Sequence, residues 1–329
     1  MENITLKRIA ESLGLSISTV SRALKNHPDI SASTKKRVHE IAEFLDYEPN
    51  INAINLRAKS NHVLGLIVPT ISVFFYDSFI AAVEEECRQN DYRLMILQSG
   101  NDPLIEAKNL SICRQNRVSG LFVCLSTNSN SMAAFEKFKE VDIPLIFFDK
   151  VPENSTYNKV CIADAEAARM AAEILIEKKK KNILSLFGNR LISITRHRLE
   201  AYENKMLSQQ DVIINIEHCS STKEARDITR QYFLQQLQPD AVFCMSDEIL
   251  IGVMKVLNEM KIDVPAKVGV LALSDGFLPT LYTPEITYIE TSGYKLGKLA
   301  FTRMMDCMND KSKPAELFIN SPFVNGGSI

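Results

Sequence analysis

The 329-residue chain is 46% hydrophobic and 24% charged, with a formal net charge of -2 at pH 7, the balance of a water-soluble protein with room for more than one core. That charge excludes a protein that coats nucleic acid generally, so any DNA contact is local, and no apolar run approaches the length needed to span a bilayer. The seven cysteines stand singly, several inside apolar runs such as Leu121-Phe122-Val123-Cys124, and read as buried thiols of a reducing, cytoplasmic compartment.

The first 60 residues carry nine Lys and Arg against seven Asp and Glu, so the positive excess lies at the N-terminal end. Leu6, Ile9, Ala10 and Leu13 recur at helical spacing, with Thr5 placed to cap the first turn. Gly14 is suited to end this helix in the left-handed region and Ser16 to cap the next. Val20, Ala23 and Leu24 give the second helix a narrow buried stripe. Ile17, Ser18, Ser21 and Arg22 are then left on its outward face, the face that a recognition helix offers to the major groove. A third helix is expected from a capping Ser31 to Asp46, buried through Val38, Ile41, Ala42 and Leu45. Proline stops it at Tyr47-Glu48-Pro49-Asn50. An ordinary helical hairpin has the same outline; the blocks that follow favour a DNA-reading head.

Four blocks stand in order: Ser18-Thr19-Val20-Ser21-Arg22-Ala23-Leu24, Tyr47-Glu48-Pro49-Asn50, Leu56-Arg57 and Gly65-Leu66-Ile67-Val68-Pro69. With these, and over its whole length, the chain resembles the LacI/GalR family of transcriptional regulators. The resemblance implies an all-α helix-turn-helix DNA-binding head (residues 1–49), a hinge helix or linker (50–61), and an α/β two-lobed, periplasmic-binding-protein-like core for effector binding and dimerisation (62–329). In that core two parallel sheets are covered by helices, with lobe 1 spanning about 62–161 plus 292–322 and lobe 2 about 162–291 plus 323–329. A homodimer on a palindromic double-stranded DNA operator is implied, most simply a repressor, controlled by a sugar-like small-molecule effector.

In the head, Arg22 is the expected bidentate guanine contact, with Ile17 and Ser18 setting the preference, while Thr5, Ser16, Thr19, Ser21 and Thr34 hold phosphates. Residues 50–58 fall short of the roughly 12 to 15 residues that an isolated helix needs in water. In the family the hinge helix folds in the minor groove. Leu56 matches the leucine that wedges into the central base step, and Ala53 the small residue that lets two hinges approach. Ile54 departs from the polar or basic side chain common at its position.

From Val63 onward, β-rich runs alternate with helical patterns: 64–69, 93–99, 120–126, 144–150, 160–164, 183–188, 213–219, 241–246, 268–274 and 286–291. Such runs are the mark of parallel sheets covered on both faces, and their number exceeds one sheet. Ligands bind outside the carboxyl ends of these strands. The residues there are Ser72 to Tyr76, Ser126, Asp149, Asp164, Asp247 and Asp275, with Arg198 on a following helix. Carboxylates and a guanidinium pair with neighbouring hydroxyls, and an aromatic ring covers the apolar face of a sugar, so a small polyhydroxylated effector is expected. By resemblance, Phe75-Tyr76 match the aromatic pair after the first strand and Phe148-Asp149 the strand-end aspartate. Arg198-Leu199 match the second-lobe arginine, and Ser246-Asp247 and Ser274-Asp275 stand at the Asn-Asp and Asp-Asp pairs.

A strand-end acid serves equally as a helix cap, and for Asp247 and Asp275 both readings stand at this point. The chain departs from the family at Val73-Phe74, Ala163 and Thr291, which removes polar groups from the pocket. Lys178 to Lys181 read as a solvated helix end. The five histidines show no metal spacing, and there is no nucleotide-binding or catalytic motif, so neither a cofactor nor catalysis is expected. A cytoplasmic sugar-binding protein or enzyme on the same core is the alternative, and it leaves residues 1–60 unexplained.

Overall fold

The computed structural model describes residues 5–47, 61–127, 132–153, 156–209, 211–235, 238–310 and 313–329. The helix stop at Glu48-Pro49-Asn50 and the hinge candidates Ala53, Ile54 and Leu56 lie outside the described residues. The chain divides into two units, one up to Asn61 and one from His62 onward.

The head holds α1 (Leu6–Leu13), α2 (Ile17–Leu24) and α3 (Ala32–Phe44). Ile9, Ala10, Val20, Ala23, Val38 and Ala42 are buried, and Leu6, Leu13, Leu24, Ile41 and Leu45 pack around them. Gly14 takes φ 62°, and the N–H of Leu15 bonds to the carbonyl of Ala10 at 2.9 Å, so α1 ends in a left-handed cap that turns the chain into α2. Ser16 caps α2 by accepting from the Thr19 N–H at 3.1 Å, and Ser31 caps α3 from the Thr34 N–H at 3.2 Å. Thr5 departs from expectation. It occupies the cap position and its carbonyl accepts from Arg8 and Ile9, yet its side chain makes no capping bond. Threonine, branched at Cβ, has fewer rotamers that carry its hydroxyl over the turn.

In chain order the core begins β1 (Val63–Val68), α4 (Phe74–Gln89), β2 (Arg93–Gln98), α5 (Pro103–Gln115), β3 (Gly120–Val123), α6 (Ala133–Lys139), β4 (Leu145–Phe148) and β5 (Asn158–Ile162). It continues with α7 (Asp164–Glu177), β6 (Asn182–Phe187), α8 (Ser193–Met206), β7 (Ile213–His218), α9 (Thr222–Leu234), β8 (Ala241–Cys244), α10 (Asp247–Glu259), β9 (Gly269–Ser274) and β10 (Thr287–Glu290). The chain then returns through α11 (Gly293–Asp310) and β11 (Glu316–Ile319) and finishes with β12 (Phe323–Val324).

These strands form two six-stranded sheets, ordered β11-β5-β4-β3-β1-β2 and β12-β10-β9-β8-β6-β7. The first is parallel throughout. The second differs from the expected all-parallel sheet in its edge strand β12, which runs antiparallel to β10. β12 is reached from β11, in the other sheet, after three residues, and it pairs with β10 through Tyr288 opposite Val324 and Ile289 opposite Phe323. The chain therefore passes between the sheets between β5 and α7, between β10 and α11, and between β11 and β12.

Central strands such as β3 and β8 are buried at every position, which is why they read as unbroken apolar runs. Phe79 stacks on Phe148 in the first lobe at 3.8 Å between ring centroids, and Tyr202 on Phe243 in the second at 5.0 Å. Six cysteines are buried, and burial pushes the Cys87, Cys113 and Cys219 thiols up to about 12, which keeps them protonated and unreactive. Among the described residues no helix is long and apolar enough to cross a membrane.

Candidate DNA-reading face and effector cleft

The α2 stripe turns Val20 and Ala23 into the head's core and leaves Ile17 46% exposed, with Ser18 and Arg22 also exposed and Thr19 and Ser21 half-buried. Among the described residues Arg22 makes no ion pair, so its guanidinium fork is available to a partner. The sequences Ser16-Ile17-Ser18-Thr19 and Ser31-Ala32-Ser33-Thr34 repeat one device. The Ser16 hydroxyl lies 2.8 Å from those of Ser18 and Thr19, and the Ser31 hydroxyl 3.1 Å from Ser33 and 2.8 Å from Thr34. Each places hydroxyls and unpaired first-turn N–H groups together at a helix N-terminus, the setting that suits phosphate oxygens. Thr5, also exposed, keeps its hydroxyl outside the α1 cap.

In the core, a cleft of about 550 Å³ lies where β5 passes into α7, bordered by Asp149, Cys161 and Phe318 of the first lobe and by Asp164, Ile194 and His197 of the second; of the expected effector residues Asp149 and Asp164 line it, whereas Phe75, Tyr76, Ser126, Arg198, Asp247 and Asp275 do not. Tyr76 and Phe75 sit in the first turn of α4 rather than in a loop, their rings edge to face at 5.7 Å. The buried Tyr76 hydroxyl donates to Asp149 at 2.7 Å. Burial, followed by the Asp149 charge, holds that phenol well above its ordinary range, so it remains a donor. Asp149 itself adopts φ 58°, which turns the chain sharply at the end of β4.

Arg198, expected to face an effector, is already engaged. Nε and Nη2 both bond to Asp164 Oδ1, at 2.7 and 2.6 Å, and Nη1 donates to the Met245 carbonyl at 3.0 Å. Burial raises the Asp164 carboxyl above its usual range and Arg198 opposes that shift. Asp247 does not cap α10. Its Oδ1 accepts from the Ser274 hydroxyl at 2.5 Å and its Oδ2 from the Asp275 N–H at 3.0 Å, while burial pushes its carboxyl up to about 6. Asp275 does act as a cap, though of α11 and not of the segment that follows it: Oδ1 accepts from the Gly293 N–H at 2.6 Å and from the Ser78 hydroxyl at 2.8 Å. Ser126 stands apart from these groups. Its N–H donates to the buried Glu106 carboxylate at 2.6 Å and its hydroxyl to Ser99 at 3.3 Å.

Two family profiles cover this architecture. Residues 5–50 match bacterial regulatory proteins of the lacI family, and residues 61–326 match periplasmic binding proteins and the sugar-binding domain of the LacI family. The chain belongs to the LacI family of bacterial regulatory proteins. Similar relatives include the probable HTH-type transcriptional regulator EndR of Paenibacillus polymyxa, 26% identical over 98% of this chain and 96% of the relative. Among solved structures, the Lac repressor dimer bound to operator and the anti-inducer ONPF matches with a TM-score of 0.88 at 20% identity over 99% of each chain. The complex of the transcriptional regulator CelR with cellobiose matches with a TM-score of 0.69 at 19% identity, again over 99% of each chain.

In this LacI-family chain several groups at the strand ends and along the cleft carry no local sequence signal. Ser78 and Ser274 become informative only when the fold sets them against Asp275 and Asp247. Phe318 belongs to β11, whose half-exposed edge gives a weak pattern. Glu106 offered a clue, being an acid in the first turn of an otherwise ordinary helix, but its buried partner, the Ser126 amide, lies 20 residues away.

Proposed function

We propose that the chain is a homodimeric transcriptional repressor. One α2 from each subunit reads half of a palindromic operator, and binding responds to a small, polyhydroxylated, non-anionic effector in the interlobe cleft. The observation that carries this reading is the union, in one LacI-family chain, of the exposed Ile17, Ser18 and Arg22 face with a cleft bordered by Asp149 and Asp164. Arg22 has the fork geometry for guanine, Ile17 and Ser18 supply apolar and single hydrogen-bond contacts, and Thr5, Ser16, Thr19, Ser21 and Thr34 meet phosphates. Ala53 and Leu56 keep their expected minor-groove roles in this reading.

The cleft's charge narrows the effector. Asp149, Asp164, Glu166, Glu200 and Glu316 border it, among the described residues no Lys or Arg does, and the Arg198 guanidinium is already bonded to Asp164. A carboxylated or phosphorylated sugar would meet repulsion there, whereas hydroxyl or ammonium groups donate to the carboxylates. The operator in the Lac repressor structure and the cellobiose in the CelR structure support the same two ligand classes for this chain. Linkage between cleft and operator is expected to amount to roughly 1 to 3 kcal/mol. The role is binding without catalysis, in the cytoplasm, where operator DNA is found.

Calorimetric titration of the full-length protein with glucose, cellobiose, glucosamine and glucuronate tests the effector class. Binding by at least one of the first three, lost in Asp149→Ala and absent for glucuronate, is expected. Tight glucuronate binding, or binding that survives Asp149→Ala, would contradict it.

A further inference from the structure

Asp275 follows the last residue of β9 in the second lobe, and its main chain is fixed there. Its N–H bonds to Asp247 Oδ2 at 3.0 Å, and the next N–H, that of Gly276, bonds to the Ser274 hydroxyl at 3.0 Å. Gly276 takes φ 110°, a conformation open to glycine, so the turn that aims Asp275 is built in. The carboxylate points away from its own lobe. Through Oδ1 it receives the Ser78 hydroxyl of α4 at 2.8 Å and the Gly293 N–H, at the start of α11, at 2.6 Å. Both helices pack on the first sheet, through Phe79 and Val83 of α4 and Leu296 and Met304 of α11.

The receiving side is equally constrained. A Cβ on Gly293 would lie 2.1 Å from the Phe75 carbonyl and 2.5 Å from the Ser78 hydroxyl, and one on Gly297 would lie 2.7 Å from the Phe79 carbonyl. These two glycines, one helical turn apart, let α11 settle against α4 so that Ser78 and the Gly293 N–H converge on one oxygen. A negative charge at the start of α11 also meets the positive end of that helix's dipole. Elsewhere between the lobes, Glu153 and Arg196 form an ion pair, but both are about half exposed, where such pairs contribute little.

We infer that Asp275 is an interlobe latch: anchored in the second lobe through Asp247 and Ser274, it holds the first lobe by Ser78 and the α11 N-terminus and so sets the resting angle of the cleft. Asp275 acts as a positioning residue, and the strand-end carboxylate expected to touch effector is spent on the lobes instead. Resting on the cleft reading above, the latch also gives a route from ligand to lobe angle. A ligand group that competes for the Asp247 carboxylate loosens the Asp275 N–H and, through it, the grip on Ser78 and Gly293.

The test needs neither operator nor effector, so it stands apart from the regulator reading. Hydrogen exchange of the full-length protein is followed at the start of α11 and in the first turns of α4, together with small-angle scattering, for Asp275→Ala, Asp275→Asn and Ser78→Ala. Asp275→Ala is expected to speed exchange at the start of α11 by about tenfold, the size of losing a bond to an ionised acceptor, and to widen the scattering envelope. Ser78→Ala should give a smaller change of the same sign. Asp275→Asn, whose amide oxygen can still accept both bonds, should restore most of the protection. If Asp275→Ala does not fold, Ser78→Ala decides alone. Unchanged exchange and envelope in the alanine variants, or an Asp275→Asn protein as open as Asp275→Ala, would overturn the latch.

Discussion

The guanidinium of Arg198 reaches Asp164 Oδ1 with two nitrogens, at 2.6 and 2.7 Å, and the Met245 carbonyl with the third, at 3.0 Å. An arginine placed to greet a ligand is thus first a cross-brace of its own lobe, joining the start of α7 to the end of β8 through α8. Both side chains are close to nine-tenths buried. Removing one partner from a buried pair leaves the other charge without compensation.

Arg198→Ala is therefore expected to lower the unfolding free energy of the core by roughly 3 to 5 kcal/mol, read by urea denaturation. The double variant Arg198→Leu, Asp164→Leu should recover most of that loss, because the orphaned carboxylate is gone. A single variant as stable as the parent would show that the brace contributes nothing.

Asp247 gives a pH signature. Burial pushes its carboxyl up to about 6, from the 3.8 of an ordinary aspartate. The folded state therefore binds the proton more tightly than the unfolded one. The stabilisation this group provides is complete below pH 3.8 and is lost as pH rises through 6, on the order of 3 kcal/mol in all. Asp247→Asn keeps an acceptor for the Asp275 N–H and removes the titration. Its melting temperature should fall less than the parent's between pH 4 and pH 7, and parallel curves would contradict the assignment.

In the head, Ser16→Ala and Ser31→Ala should each cost about 1 kcal/mol, the value of a lost N-cap, seen as a lower helical melting temperature. Thr5→Ala should leave stability within about 0.5 kcal/mol of the parent, because the Thr5 side chain makes no capping bond. It should still weaken operator binding if the hydroxyl serves a phosphate.

Gly293→Ala places a methyl group 2.1 Å from the Phe75 carbonyl. The α4 and α11 pairing must spread, at a cost of about 1 to 3 kcal/mol, measured as a lower melting temperature of the core. A neutral result would mean that the two helices slide apart freely.

The central strands were legible because they are buried on both faces and therefore apolar without interruption, and the edge strands β2 and β7 because their β-branched and apolar residues stand between helical patterns. β11 was missed because Glu316 and Phe318 face outward on a sheet edge, and β12 because it is only two residues long. Ser16 and Ser31 read correctly as caps from local chemistry alone. Thr5, with the same local signal, did not cap, since rotamer choice decides the matter. At the cleft, sequence located the strand-end acids but not their obligations. Whether Asp275 meets a ligand or Ser78, and Asp247 a ligand or Ser274, depends on residues 27 to 197 positions away that only the folded chain brings near. Ser126 shows the same limit, since its partner Glu106 lies behind it on α5.

Whether α2 reads DNA is decided by selection of bound fragments from a random duplex library with the purified full-length protein. A palindrome is expected to be enriched whose half-sites each carry a guanine that Arg22→Ala no longer selects. Absence of any enriched sequence, or an enriched palindrome unchanged in Arg22→Ala, would contradict it.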